Sequence, residues 1–131
     1  MGHGGNVIEE LTTDHREVDE LFDRIESLPA GDKQRRELAD ELTIELVRHS
    51  VAEEMHLYPA VRTHVENGDS LADKEISDHA TVEQHLKDLE GTEADDREFD
   101  HLLATLKLEV SDHVQDEEAH LFPMLAISCP P

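Results

Sequence analysis

A chain of 131 residues with 33 acidic against 11 basic side chains has a formal net charge of −22, which repels nucleic acid and anionic membrane surfaces and sets both aside as partners. Its length suits one domain over residues 1–131, and with aromatics at 3% the core must be built from Leu, Val, Ile and Ala. No run approaches the roughly 20 apolar residues of a membrane helix, the N-terminal Met-Gly-His-Gly-Gly-Asn is unlike a signal peptide, and Cys129 has no cysteine to pair with, so a cytoplasmic protein with an incidental thiol is expected.

The first helix is expected at about 7–27, where Ile8, Leu11, Val18, Phe22 and Ile25 recur at helical spacing and His15 takes the place of the missing apolar residue. Asn6 is a candidate N-cap. Leu28 to Asp32 reads as a loop whose Asp32 caps a second helix of about 33–57. That helix carries Leu38, Leu42 and Leu46 and then, on the same stripe, His49, Glu53 and His56. Pro59 disfavours helical geometry at Tyr58, so the helix is expected to end or bend there. The connection over 60–70 contains the turn cluster Asn67, Gly68, Asp69 and Ser70. A third helix at about 71–90 shows Ala72, Ile76, Val82, Leu86 and Leu89 with His79 in the seam. Beyond the loop Gly91 to Asp96, a fourth at about 97–121 carries Leu102, Leu106, Val110, His113, Glu117 and His120. Flexible ends are expected at 1–5 and 126–131.

Residues 14–59 return at 78–123, displaced by 64 positions without an insertion. His15 maps onto His79, with Asp14, Val18 and Asp19 onto Asp78, Val82 and Glu83. The segments from His49 to Pro59 and from His113 to Pro123 both read His-x-x-x-Glu-Glu-x-His-Leu-aromatic-Pro. Two copies of a helical hairpin make an all-α, antiparallel up-down-up-down four-helix bundle the economical fold. His15 precedes Leu28 by 13 residues and His49 follows Asp32 by 17, which at about 1.5 Å per residue puts both rings near one height. The repeat brings His79 and His113 to the same level.

Glu53 and Glu117 each follow a histidine by four residues, so each pair projects in nearly one direction. Carboxylates on a core-facing stripe among imidazoles call for a cation. The mixed donor set favours iron or manganese over an all-oxygen calcium site, and zinc is satisfied with fewer ligands. Four histidines and two carboxylates suit two octahedral ions, with the carboxylates and a solvent-derived oxygen spanning them.

The pattern His15, His49-x-x-x-Glu53, His79, His113-x-x-x-Glu117 resembles the hemerythrin-like, or HHE cation-binding, domain family over about residues 7–125. The resemblance implies a non-haem diiron centre (Fe-O-Fe) in a four-helix bundle, with manganese or zinc less favoured. It implies that His15 and His49 ligate one iron and His79 and His113 the other, with Glu53 and Glu117 bridging. Oxygen-carrying hemerythrins have a further histidine where this chain has Glu83, and their last bridging carboxylate follows its histidine by five residues rather than four. Glu83, and its counterpart Asp19, could coordinate in place of the absent imidazole, favouring the ferric state over reversible oxygen carriage.

His56 and His120, seven residues beyond His49 and His113, would lie on the same face about 10 Å further along, as proton donors or channel residues. Tyr58, whose counterpart is Phe122, is a phenolate ligand, a proton donor or an aromatic plug. Glu54 and Glu118 point about 100° from their ligand neighbours, toward solvent or the backs of the ligands. His3, His64, His85 and His101 fall off the seam. The functional expectation is a protein that binds, senses or detoxifies dioxygen, peroxide or nitric oxide. An enzyme decomposing peroxide in a catalase-like way or oxidising iron, and a storage or structural bundle, are the alternatives, and no protein partner is specified.

Overall fold

The computed structural model describes residues 3–128, with side chains from Ile8 to Ile127. Helix α1 (His3–Ser27) is followed by α2 (Lys33–Ala52), which runs through a π turn (Glu53–Leu57) into α3 (Tyr58–His64). Helix α4 (Gly68–Glu90) precedes α5 (Arg97–Asp116), which runs through a second π turn (Glu117–Leu121) into α6 (Phe122–Ser128). The six helices thus form four rods, with no strand among the described residues. α1 packs on α2 and α6, α2 on α4, and α4 on α3 and α5, which closes the rods into an up-down-up-down ring. No helix of the described residues is long and apolar enough to cross a membrane.

The duplication is visible in the caps. Asp32 accepts from the Gln34 backbone N–H and Asp96 from that of Glu98, both at 2.9 Å, satisfying equivalent free donors at the starts of α2 and α5. Other boundaries differ from expectation. α1 begins at His3, so Asn6 lies inside it rather than at its start, its side chain being outside the described ones, and residues 3–5 and 126–128 are helical. Cys129 lies outside the described residues, as does the side chain of His3. The connection between copies shrinks to Val65, Glu66 and Asn67. Asn67 adopts a left-handed φ of 60°, and a Cβ on Gly68 would stand 2.0 Å from the Val61 carbonyl oxygen, so only glycine admits this close approach.

The two π turns have one cause. A proline ring collides with the carbonyl four residues back and supplies no N–H. Ahead of Pro59 and Pro123 the backbone slips to bonds five residues long, from Tyr58 N–H to Glu53 and from Phe122 N–H to Glu117. A turn that takes an extra residue advances less per residue. The position seven beyond each ligand-type histidine is therefore left outside the seam, and Leu57 and Leu121 turn inward in its place.

Burial divides into two apolar clusters. One joins Val18, Phe22, Leu42, Leu46, Val82, Leu86, Leu106 and Val110. The other joins Leu11, Leu57, Tyr58, Val61, Ala72, Leu121, Phe122 and Leu125. On α5 the buried stripe is Phe99, Leu103, Leu106 and Val110, with Leu102 only half-buried against it. Along α1 and α4, His15 and His79 separate the members of one cluster from those of the other, so a belt of buried polar groups lies between them.

Candidate metal centre

That belt consists of His15, His49, Glu53, Glu75, His79 and Glu117, all buried, together with His113, whose side chain is 10% exposed. The four imidazoles are arranged as two like pairs. His15 and His49 lie 4.7 Å apart and His79 and His113 4.9 Å apart, ring centre to ring centre, each pair at 60°. The repeat in sequence is thus a repeat in geometry.

Each ring nitrogen has a distinct role. The Nδ1 atoms face carboxylates: Glu118 at 2.7 Å from His15, Asp14 at 3.2 Å from His49, Glu54 at 3.2 Å from His79 and Asp78 at 3.3 Å from His113. With Nδ1 turned outward, Nε2 points inward, where it donates to a carboxylate while the ring is protonated and offers its lone pair to a cation once it is not. The Nε2 atoms meet the two buried glutamates. Glu53 Oε1 is 3.2 Å from His49 and 3.0 Å from His79, one ring from each half. Glu117 likewise touches both halves, with Oε1 3.2 Å from His15 and Oε2 3.4 Å from His113.

The charges of the clustered side chains follow from these contacts. Burial pushes the His49 and His79 imidazoles down, but Glu53 outweighs it, assisted by Asp14 and Glu54, and both end above their usual range. His113 is raised strongly in spite of burial, held by Glu117, Glu53 and Glu75. Burial raises Glu53, yet Glu117 and the surrounding imidazoles hold its carboxyl well below the usual carboxylate range. Burial, with the charges of Glu53, Glu117 and Glu75, pushes the Tyr58 phenol far up, so it keeps its proton.

The donor set fits metal ions. Glu53 Oε2, Glu117 Oε1 and His113 Nε2 are buried with no hydrogen-bond partner among the described residues, a costly arrangement that a cation relieves. Metal-capable groupings form around His15, His49, Glu53 and Glu117, around Glu53, His79 and His113, and around Glu75, His113 and Glu117, with donor atoms in each within 4.8 Å of one another. The number and type of donors exceed what one tetrahedral ion uses.

The structure brings together His15, His49, Glu53, His79, His113, Glu117 and Tyr58. Tyr58 is 1% exposed, and its hydroxyl lies 3.0 Å from His79 Nε2 and donates to Glu117 Oε2 at 3.1 Å; Phe122 stacks on His15 in the equivalent place. Four expectations are corrected. Asp19 and Glu83 are exposed and stand outside the cluster, because Val18 and Val82, one residue earlier, fill the inward position. His56 and His120 are also exposed. The π turns rotate them off the seam, and His120 sits 3.5 Å from Asp116 at the surface. Glu54 and Glu118 take the places behind the histidines. Sequence reasoning gave no role to Asp14 and Asp78, although both precede a seam histidine in register. It missed Glu75, whose counterpart Leu11 marks the position as inward-facing.

A cavity of ≈ 20 Å³ opens on the four histidines, room for about one water-sized molecule. Its other walls are Val18, Leu46, Ser50, Val82, Val110 and Val114. Val82 and His113 also line a surface cleft between α4 and α5, of ≈ 270 Å³.

The model of the hemerythrin HHE cation-binding domain matches residues 6–125. An uncharacterized hemerythrin-like protein of Schizosaccharomyces pombe is 28% identical over 120 residues, 91% of this chain, and the match spans 59% of that relative's length. The crystal structure of a hemerythrin HHE cation-binding domain-containing protein from Mycobacterium kansasii superposes with a TM-score of 0.79 at 24% identity, covering 95% of this chain and 72% of that one.

Proposed function

The chain belongs to the hemerythrin HHE cation-binding domain family, and from that premise we propose that it holds two iron ions between its rods and offers them to a small ligand such as dioxygen, peroxide or nitric oxide. His15 and His49 would hold one ion, His79 and His113 the other, with Glu53 and Glu117 shared. Asp14, Glu54, Asp78 and Glu118 orient the rings from behind, and their charges offset that of the cations. Bound iron supplies the electron transfer and Lewis acidity that no side chain here provides.

The observation that carries the proposal is the cavity on the histidines. Its walls beyond the rings are mostly aliphatic, so an uncharged molecule of one or two heavy atoms enters at little cost while a larger or charged substrate meets both steric and desolvation barriers. In iron-loaded, reduced protein, nitric oxide or dioxygen should produce a distinct and reversible optical change. A fully loaded protein inert to both would contradict the reading, and zinc at one equivalent in protein isolated without added metal would favour a structural bundle. The proposed setting is the cytoplasm.

A peroxide-consuming activity is favoured by one specific feature, the Tyr58 hydroxyl, which carries its proton into the cluster between His79 and Glu117. Oxygen evolved from added peroxide in proportion to bound iron, and slowed in Tyr58→Phe, is the expected result. Loss of a visible charge-transfer band in the same variant would instead assign Tyr58 as a ligand.

A further inference from the structure

The internal repeat is broken at a buried position beside the centre. The 64-residue register pairs Glu75 of α4 with Leu11 of α1, and the two are 2% and 3% exposed. In the first half this inward position is apolar, and Leu11 packs in the cluster of Leu57, Leu121 and Phe122. In the second half Glu75 directs Oε2 to within 2.9 Å of His113 Nδ1. Asp78 already accepts from that nitrogen at 3.3 Å, and Glu75 Oε2 has no hydrogen-bond partner of its own among the described residues. His49, the equivalent ring, has Asp14 alone at its Nδ1 among the described residues, at 3.2 Å.

Lys74 Nζ stands 3.8 Å from Glu75 Oε1 but is largely exposed, which leaves Oε2 to the ring, and a second buried carboxylate against one imidazole is favourable when that ring carries positive charge. A metal ion on Nε2 supplies that charge, and a carboxylate behind a ligating imidazole makes Nε2 the stronger donor. We propose that Glu75 is a positioning residue that makes the two halves of the centre unequal, so that the His79/His113 position fills first and holds its metal more tightly than the His15/His49 position. This rests on the two-ion reading above. The arrangement gives the pair an order of assembly, in which one ion and the shared glutamates prepare the position for the other.

The test is an anaerobic titration of the metal-free full chain with cobalt(II), in competition with a chelator, read as cobalt bound and as visible absorption. Wild type should take up two equivalents in two resolved steps. Glu75→Leu, which copies the first half, and Glu75→Gln, which keeps the volume without the charge, should weaken the first step by roughly 10–100-fold and leave the second nearly unchanged. His49→Ala should keep the tight step and lose the weak one. Variants that titrate like wild type, a loss falling equally on both steps, or loss of the tight step in His49→Ala would each overturn the proposal. Uptake of fewer than two equivalents by wild type would instead overturn the two-ion reading on which it rests.

Discussion

Replacing Glu53 by Gln preserves the shape of a fully buried side chain and removes one negative charge that lies 3.2 Å from His49, 3.0 Å from His79 and 3.8 Å from His113. In chelator-treated protein the effect must depend on pH. Glu53 is depressed below 4.5, so its contribution is present above that value and is lost as the pH falls through the folded one. The three histidines are raised above 6.5, so theirs is fully present below that value and is lost as the pH climbs through the folded values. Both partners are charged between those limits. Removing one member of a buried pair costs about 3–5 kcal/mol, a large share of a total stability of about 5–15 kcal/mol. Urea denaturation of wild type and Glu53→Gln across the pH range should give a difference that is largest between the ordinary values of 4.5 and 6.5, shrinking in acid as Glu53 takes up its proton and again in alkali as the histidines lose theirs. A flat difference below about 1 kcal/mol would refute the assignment of Glu53 as the charge that holds these imidazoles together.

Metal uptake should release protons, because Nε2 of a protonated His49, His79 or His113 must give up its proton to bind a cation, so affinity should rise with pH; calorimetry in buffers of different ionisation enthalpy measures this, and a buffer-independent heat would contradict it. Val82→Phe should fill the space between the α4–α5 cleft and the histidines, slowing nitric oxide binding at least tenfold while two metal ions remain. Unchanged association kinetics would place the entrance elsewhere. Gly68→Ala should cost about 1–3 kcal/mol in urea denaturation, because the added methyl meets the Val61 carbonyl; a neutral result would mean that the turn relaxes freely.

The bundle and the centre's main residues are legible because a histidine in an aliphatic stripe, repeated at one spacing in two copies, has few structural meanings. Local periodicity locates His15 and His79, and the four-residue step from His49 to Glu53 is maintained within a regular turn. Beyond those turns the periodicity misleads. Pro59 and Pro123 announce a bend, but the slip into π geometry also changes which residue faces inward, substituting Leu57 and Leu121 for His56 and His120. The family resemblance likewise offered Glu83, and with it Asp19, as metal ligands at a place where packing turns Val18 and Val82 inward instead. Glu75 escaped notice because a single acid on an acid-rich helix looks solvated. Only its comparison with Leu11 shows that the position is buried.

The most direct test of the central claim is metal quantitation and an optical spectrum taken on the same sample of iron-loaded protein. Two irons per chain with the absorption of a coupled ferric pair is the predicted result, and one iron or none at saturation would contradict it.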